Sequence, residues 1–240
     1  MAFMSELKDK IIVVTGASGG MGVEVCTRLA QQGARLALCS NDRDGLTKLT
    51  DTLEASGTQV IAKVVDVTDE KEVEAFFKEV GTKFGRGDAL LNLAGLSIPA
   101  KVWEMTVDKY DLTMDVNVKG TFLCSKHFIP LTDGEKGARI INIGSMAAKR
   151  ANGSAPLYCT AKAAVNIFSQ GLAIQVKEKN IRVTTLNPGP TDTAFWGDRP
   201  VAREKFMQAS DVAGVIEFVL AADDRVVFHE IAFESFINFN

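Results

Sequence analysis

The segment Lys-Ile-Ile-Val-Val-Thr-Gly-Ala-Ser-Gly-Gly-Met-Gly, residues 10–22, decides the fold of this chain. Lys10–Thr15 is rich in β-branched residues and predicts a buried strand, and a glycine-rich turn over Gly16–Gly22 follows it at once. A helical pattern then runs to about Gln32. This order suits a phosphate-binding turn, because the N–H groups of a helix N-terminus attract anions. Glycine turns also close strand–helix junctions that bind nothing, so the pattern alone leaves both interpretations open.

Strands and helices alternate along the rest of the chain. The predicted strands are Lys10–Thr15, Arg35–Cys39, Gln59–Val65, Ala89–Asn92, Arg139–Ile143, Ile181–Leu186 and Val226–Phe233. Besides the helix that ends near Gln32, the predicted helices are Asp44–Ala55, Asp69–Phe84, Thr106–Phe128, Leu157–Val176 and Ser210–Ala221. Parallel neighbours in a sheet need crossover helices. The alternation therefore predicts a doubly wound α/β fold, with a seven-stranded, mainly parallel sheet and helices on both faces.

Length and composition favour one domain over residues 1–240, although length alone does not exclude two small ones. The net charge of −3 contains no long run of either sign, so we expect neither a nucleic-acid nor a membrane partner. The one long irregular segment, near residues 190–208, contains Pro190, Gly197 and Pro200. A segment of this kind in a compact domain is typical of a substrate lid.

Cysteine usage and the N-terminus predict a cytoplasmic protein. The four cysteines are scattered and form no CxxC pair, which is typical of a reducing compartment. Residues 1–10 contain no apolar core of signal-peptide length, and the longest apolar stretch, Val212–Ala222, is interrupted by Glu217. The two histidines have no ligand spacing, so we expect no metal site.

Tyr158 and Lys162 should lie one turn apart on the same face of a helix, with Ser145 upstream of them. A free tyrosine titrates near pH ~10, and a nearby ammonium would lower its pKa towards the range useful for proton transfer. The Ser145 hydroxyl could then hold a substrate oxygen against the phenol. A tyrosine and a lysine four residues apart also occur by chance in long helices, so the order of motifs has to decide.

Ligands of open α/β sheets bind beyond the carboxyl ends of the strands. Small or polar residues follow five of the predicted strands, at Ser40–Arg43, Asp66–Thr68, Asn92–Gly95, Gly144–Ser145 and Asn187–Gly189. We therefore expect a binding site along this edge of the sheet.

In type and order, these motifs resemble those of the short-chain dehydrogenase/reductase family, in its small single-domain branch. The resemblance extends from Asp9 to about Ala222. The motifs that carry it are Thr15–Gly22, Asp66, Asn92–Gly95, Asn117, Ser145, Tyr158–Lys162, Pro188–Gly189, Thr191 and Thr193.

The resemblance implies a Rossmann fold and hydride transfer between a nicotinamide cofactor and a small carbonyl or alcohol substrate. It makes Tyr158 the general acid or base and Ser145 the residue that orients the substrate oxygen. Lys162 would hold the nicotinamide ribose and lower the tyrosine pKa, and Asn117 would anchor a water chain to Lys162. The implied cofactor contacts are Gly16, Ser18, Gly20, Met21, Gly22, Ser40, Asn41, Arg43, Asp66, Val67, Asn92, Ala94, Gly95, Tyr158, Lys162, Pro188, Gly189, Thr191 and Thr193. Taken singly, Asp66 could instead be the N-cap of the following helix.

Two departures from the family pattern concern structure rather than chemistry. Leu93 replaces the second Asn of an Asn-Asn-Ala-Gly motif, and a glycine-rich ending with Asp-Gly-Gly is missing between Arg225 and Asn240. The second departure puts the family's tetramer interface in doubt. Apolar faces on the helices Thr106–Phe128 and Leu157–Val176 still favour a homo-oligomer, a dimer or a tetramer, with a helix-mediated dimer contact.

The end of the second strand favours NADP(H) over NAD(H). An acidic residue there would accept from the adenosine ribose and repel a 2′-phosphate, and this chain has Ser40 instead. Ser40 and Asn41 offer neutral hydrogen bonds and Arg43 a positive charge. The preference weakens if Asp42 turns to the ribose or if Arg43 pairs with a surface carboxylate.

The substrate is less clear from the sequence. The predicted pocket walls, Leu96–Trp103, Met146–Leu157 and Thr193–Met207, mix apolar and basic side chains. The basic ones could meet an anionic substrate, although solvated loop charges are the simpler interpretation. The principal apolar and basic side chains are Ile98, Trp103, Phe195, Trp196, Lys149, Arg150, Arg199 and Arg203. Two other activities fit parts of the pattern, a nucleotide-sugar epimerase and a non-catalytic dinucleotide sensor. The missing C-terminal extension disfavours the first, and the retained Tyr and Lys disfavour the second.

Overall fold

The computed structural model describes residues 7–238. The expectation that residues 1–10 contain no signal peptide concerns residues that lie mostly outside this range. The main sheet contains seven strands, all parallel, and confirms the predicted fold class. In chain order its strands are β1 Ile11–Thr15, β2 Arg35–Ser40, β3 Val60–Val64, β4 Ala89–Asn92, β5 Ala138–Ile143, β6 Ile181–Pro188 and, near the C-terminus, β9 Glu230–Phe233. Two short strands, β7 Thr191–Asp192 and β8 Met207–Gln208, form a separate pair. The order across the main sheet is β3-β2-β1-β4-β5-β6-β9, as in doubly wound folds.

Seven helices cover the two faces of the sheet. They are α1 Gly20–Gln31, α2 Arg43–Ala55, α3 Glu70–Phe84, α4 Val107–Met114, α5 Gly120–Phe128, α6 Pro156–Val176 and α7 Ala209–Ala221. One core cluster includes Leu29 of α1 and Ile216 of α7, and the other includes Phe76 of α3 and Phe128 of α5. These two cores lie on opposite faces because alternate strand residues point to opposite sides of the sheet. No helix among residues 7–238 is long and apolar enough to cross a membrane.

The structure differs from the sequence prediction in the middle of one helix. A π-helical turn, Asp115–Lys119, separates α4 from α5 within the predicted helix Thr106–Phe128. Such turns widen the helix by one residue, frequently at functional sites. Asn117 is therefore displaced from the regular helical spacing.

The last strand also begins later than predicted, at Glu230 rather than Val226. The guanidinium of Arg139 donates to the carbonyl oxygens of Ala222 at 2.6 Å and of Asp223 at 3.2 Å. Arg182 likewise donates from its Nε to the carbonyl oxygen of Asp224 at 2.6 Å. Those contacts hold residues 222–224 in a loop, and the first bond to β6 ahead of the strand is from the N–H of Thr185 to the carbonyl oxygen of His229 at 3.1 Å.

Candidate active site

The glycine turn after β1 has the geometry that a bound dinucleotide needs. Gly16 has a φ of +64°, and a Cβ on it would lie 2.8 Å from the backbone of Ala94 on the loop after β4. A Cβ on Gly22 would lie 2.4 Å from the carbonyl oxygen of Gly16. The N-cap of α1, Gly19, provides no side-chain hydrogen bond, so the first N–H groups of α1 are available for a pyrophosphate.

The ends of β2 and α2 form the region expected to contact the adenosine. The Oγ atoms of Ser18 and Ser40 are 2.7 Å apart, which links the glycine turn to the end of β2. Asp42 is the N-cap of α2 and accepts from the N–H of Gly45 at 3.1 Å. Arg43 is exposed and forms no salt bridge within residues 7–238.

Asp66 is not a helix cap. Its Oδ1 accepts from the N–H of Thr68 at 2.9 Å and from the Thr68 hydroxyl at 2.8 Å, while Asp69 caps α3. Asp66 and the buried Val67 thus form a turn at the exit of β3, on the side of the sheet edge where an adenine would lie. The alternative of a capping role for Asp66 was wrong.

Ser145, Tyr158 and Lys162 meet where β5 ends and α6 begins. Ser145 and Tyr158 line the same cavity, and the Ser145 side chain is near enough to the phenol to lower its pKa. The Nζ of Lys162 donates to the carbonyl oxygen of Ile143 at 2.9 Å and lies 5.8 Å from the Tyr158 ring centroid. The predicted spacing of one helical turn therefore places the lysine directly behind the phenol.

The pKa values of this pair differ from the sequence expectation. Burial raises the pKa of Tyr158 to about 12, opposed mainly by the nearby Ser145 side chain and also by the positive charge of Arg199. Burial lowers the pKa of Lys162 to about 8. The expected net lowering of the tyrosine pKa is thus wrong for this structure, because desolvation of the phenol outweighs the neighbouring charges.

Asn117 directs an unpaired oxygen towards the lysine. Its Nδ2 donates to the carbonyl oxygens of Leu96 at 2.8 Å and Thr113 at 2.9 Å, whereas its buried Oδ1 has no hydrogen-bond partner within the described residues. A Cβ on Gly95 would lie 2.9 Å from this Oδ1 and 3.2 Å from the Nζ of Lys162. The oxygen and the ammonium therefore border the same small space beside Gly95, where a water could join them.

Asn187 and Gly144, named above only among the strand exits, hold the backbone of Ser145 in place. The Oδ1 of the fully buried Asn187 accepts from the N–H of Ser145 at 2.8 Å and so fixes the backbone that carries the hydroxyl. A Cβ on Gly144 would lie 2.0 Å from this Oδ1. Both residues stood at strand exits, which is the signal that could have found them, but only the pairing of β5 with β6 brings them together.

A cavity of about 600 Å³ opens above Ser145 and Tyr158. Ser97 and Pro99 contribute to it from the first predicted wall, whereas Ile98 and the exposed Trp103 do not, which corrects that expectation. Most of the lining comes from the turn after β5, the start of α6 and the segment 188–201. The lining residues include Met146, Arg150, Ala155, Tyr158, Phe195, Trp196, Arg199 and Val201.

The basic residues near the cavity are not merely solvated charges, as the sequence had favoured. Lys149 pairs with Glu230 at 2.7 Å, Arg150 with Glu234 at 2.6 Å, and Arg203 with Asp192 at 2.8 Å. Arg199 instead lies over the Phe195 and Trp196 rings, at 5.1 and 5.0 Å from their centroids. No group of acidic, Cys and His side chains capable of holding a metal ion occurs within residues 7–238.

The buried ammonium of Lys162 should destabilise the fold at neutral pH. The folded state binds this proton more weakly than the unfolded state does, so this residue makes stability rise with pH between about 8 and the ordinary value of 10.5. The free energy of unfolding of Lys162→Met should therefore exceed that of the wild type by roughly 1–3 kcal/mol at pH 7. This difference should shrink as the pH rises towards 10.5. Urea unfolding at several pH values measures this, with the exposed Lys48→Met as control. An advantage that is absent or independent of pH would contradict the assignment.

Known proteins share both the sequence and the fold of this chain. A sequence profile described as short chain dehydrogenase matches residues 10–203. An uncharacterized oxidoreductase of Staphylococcus saprophyticus is 32% identical over 229 residues, covering 95% of this chain and 98% of the relative. A second, from Staphylococcus aureus, is 32% identical over 228 residues, with the same coverage of 95% and 98%.

Two solved structures agree closely in fold. An alcohol dehydrogenase from the archaeon Thermococcus sibiricus, complexed with 5-hydroxy-NADP, has a TM-score of 0.90 at 26% identity, covering 97% of this chain and 99% of that one. A short chain dehydrogenase from Burkholderia cenocepacia in complex with NADP has a TM-score of 0.89 at 28% identity, covering 98% and 100%. This chain therefore belongs to the short-chain dehydrogenase family and is an oxidoreductase.

Proposed function

We propose that this protein is an NADP(H)-preferring oxidoreductase that interconverts a carbonyl compound and an alcohol through Ser145, Tyr158, Lys162 and Asn117. The observation that carries the proposal is that Ser145 and Tyr158 line the same cavity, with the Nζ of Lys162 5.8 Å from the Tyr158 ring centroid. Two hydroxyls converging on one point can bind a single carbonyl oxygen and leave its carbon accessible. We also propose that the protein forms one domain and is cytoplasmic. Its four cysteines are free, which is typical of a reducing compartment.

When bound, the nicotinamide cofactor supplies or accepts the hydride at the substrate carbon. Ser145 holds the substrate oxygen, and its position depends on the Asn187 contact to its backbone N–H. Tyr158, with its pKa of about 12, is protonated at neutral pH and can donate to that oxygen during reduction. The space shared by Lys162 and the Asn117 Oδ1 provides a route for the replacement proton.

Tyr158→Phe should lower kcat by roughly 10²–10⁴-fold, because a positioned general acid contributes about that much. NADPH binding should stay within a few-fold of the wild type, since the variant keeps the ring and its packing. NADPH oxidation with a panel of ketones and aldehydes measures the first effect, and fluorescence titration measures the second. The chain's other tyrosine, Tyr110, is half exposed on α4, so Tyr110→Phe is the matched control. Turnover retained by Tyr158→Phe would exclude the proposed role.

The preference for NADP(H) is supported by the environment of β2. Asp42 is engaged as the N-cap of α2, so it would have to give up the Gly45 N–H to reach a ribose. Arg43 is exposed and without a carboxylate partner within the described residues, so its charge is available to a 2′-phosphate. These two arrangements support the preference for NADP(H). The other proposed cofactor contacts lie in the glycine turn and at the strand exits, and they fit either cofactor.

Ser40→Asp should shift the ratio of kcat/KM for NADPH over NADH downwards by roughly tenfold or more. The new carboxylate would repel the 2′-phosphate and could accept from the ribose hydroxyls. Steady-state kinetics with both cofactors measures the ratio. Ser40→Ala, which removes the bond to Ser18 without adding charge, should change it much less. An unchanged ratio in Ser40→Asp would contradict this account of the β2 end.

We also propose a dimer formed by α4, α5 and α6. Ile167 and Ile174 on α6 are 67% and 79% exposed, and Gly171 between them has open space where a side chain would lie. Val107 of α4 and Phe122 of α5 are 72% and 46% exposed. A face of large apolar and small residues is typical of two helices that pack closely against a second copy.

Ile174→Lys should convert this dimer to a monomer, because it would bury an unpaired ammonium in the contact. Sedimentation velocity measures the change. The exposed Phe236, near the C-terminus, offers a control, since Phe236→Lys adds the same charge outside the proposed contact. A wild-type monomer, or a dimer unaffected by Ile174→Lys, would refute the interface.

A further inference from the structure

We infer that the carbonyl substrate is an oxo acid with an apolar body, and that its carboxylate binds the guanidinium of Arg199. This inference rests on the proposed function and names the class of substrate that the cavity selects. It concerns the lid of the cavity, the segment between β7 and β8, rather than the residues that handle the proton.

The first support is a charge that the protein leaves unbalanced. Arg150 and Arg199 are the charged side chains that line the cavity, and no Asp or Glu lines it. Arg150 is balanced by Glu234, whose side chain is only 8% exposed. Arg203, on the same lid as Arg199, is balanced by Asp192. Arg199 has no carboxylate within salt-bridge distance among residues 7–238, so its guanidinium is available to an anionic ligand.

The second support is that Arg199 is held in one orientation. Its Nε donates to the carbonyl oxygen of Trp196 at 2.7 Å, and one Nη donates to that of Phe195. The Trp196 ring is itself fixed, because its Nε1 donates to the carbonyl oxygen of Thr191 at 2.8 Å and its face packs on Phe206 at 4.9 Å. These contacts use only some of the five N–H donors of a guanidinium, and the rest can form a bidentate pair with a carboxylate. A guanidinium already held in one orientation loses little side-chain conformational entropy when a carboxylate binds.

The third support is the path from Arg199 to the catalytic hydroxyls. The Phe195 ring lies between them, 5.9 Å from the Tyr158 ring and 5.1 Å from the Arg199 guanidinium carbon. A molecule with its carbonyl oxygen at Tyr158 and its carboxylate at Arg199 would therefore lie across an aromatic face. Met146, Ala155 and Val201 also line the cavity and add apolar surface. Such a molecule needs an apolar segment, a ring or a short alkyl chain, between its carbonyl and its carboxylate.

A competing account is that Arg199 only ties the lid together through its stacking and its two carbonyl contacts. The two accounts differ in one respect. A purely structural arginine affects charged and neutral substrates alike, whereas a carboxylate-binding arginine discriminates between an acid and its uncharged ester.

The test compares three oxo acids with their methyl esters, 4-acetylbenzoate, 3-acetylbenzoate and 5-oxohexanoate, by NADPH-dependent kcat/KM. At least one acid should exceed its ester by roughly tenfold or more, as expected for a charge-assisted hydrogen-bonded pair. Arg199→Met, which keeps an apolar chain against the rings, should reduce that acid-to-ester ratio to near one. Arg199→Lys should restore part of it. Arg203→Met is the matched control, because it removes a lid guanidinium that is already paired and should leave the ratio unchanged.

The outcomes separate this inference from the function on which it rests. If no acid exceeds its ester, or if Arg199→Met lowers acid and ester kcat/KM equally, the carboxylate assignment is wrong and the reductase remains. If neither member of any pair is reduced while other carbonyl compounds are, the assignment is also wrong. If no carbonyl compound of any kind supports NADPH oxidation, the proposed function itself fails.

Discussion

The site depends on an ammonium group that the fold removes from water. Lys162 is 4% exposed and donates to the carbonyl oxygen of Ile143, yet no carboxylate balances it within the described residues. Burying such a charge is unfavourable, and the lowered pKa of about 8 expresses that cost. Neutral oxygens, rather than a counter-ion, reduce the cost of burying the ammonium. Gly95 lacks the Cβ that would fill the space beside the ammonium, and the Asn117 oxygen faces the same space.

Neutral oxygens beside Lys162 have a different chemical effect from a carboxylate. A carboxylate beside Lys162 would hold its proton firmly and raise its pKa, whereas neutral oxygens and a bridging water leave the proton exchangeable. The π-helical turn around Asn117 is what directs that oxygen inward, since regular helical geometry would shift it by one residue. The irregular turn in the helix and the poorly balanced lysine are thus two parts of one arrangement.

The sequence predicted those features that depend on short-range patterns. Strands such as Ile11–Thr15 and the glycine turn after it follow from residues that are neighbours in the chain, and the spacing of Tyr158 and Lys162 follows from helical periodicity. The π turn at Asn117 could not be predicted in this way, because its widened geometry is stabilised by contacts to distant residues such as Leu96. The direction of the Tyr158 pKa was wrong for a related reason. It depends on how much water the folded chain excludes, which no local pattern records.

The partners of charged residues were the least predictable feature, and they matter most for the substrate. In the sequence, Arg150, Arg199 and Arg203 are equivalent, three arginines in polar loops. In the fold, Glu234 after β9 balances the first and Asp192 of β7 balances the third, and no sequence motif identifies either partner. Among residues 7–238, only the middle one has no carboxylate partner, and it lies over the rings of Phe195 and Trp196. An anion in the cavity would balance this guanidinium, because a charge that leaves water is stabilised by a partner that accepts its hydrogen bonds. The same contact would place the anion across the Phe195 ring from Tyr158.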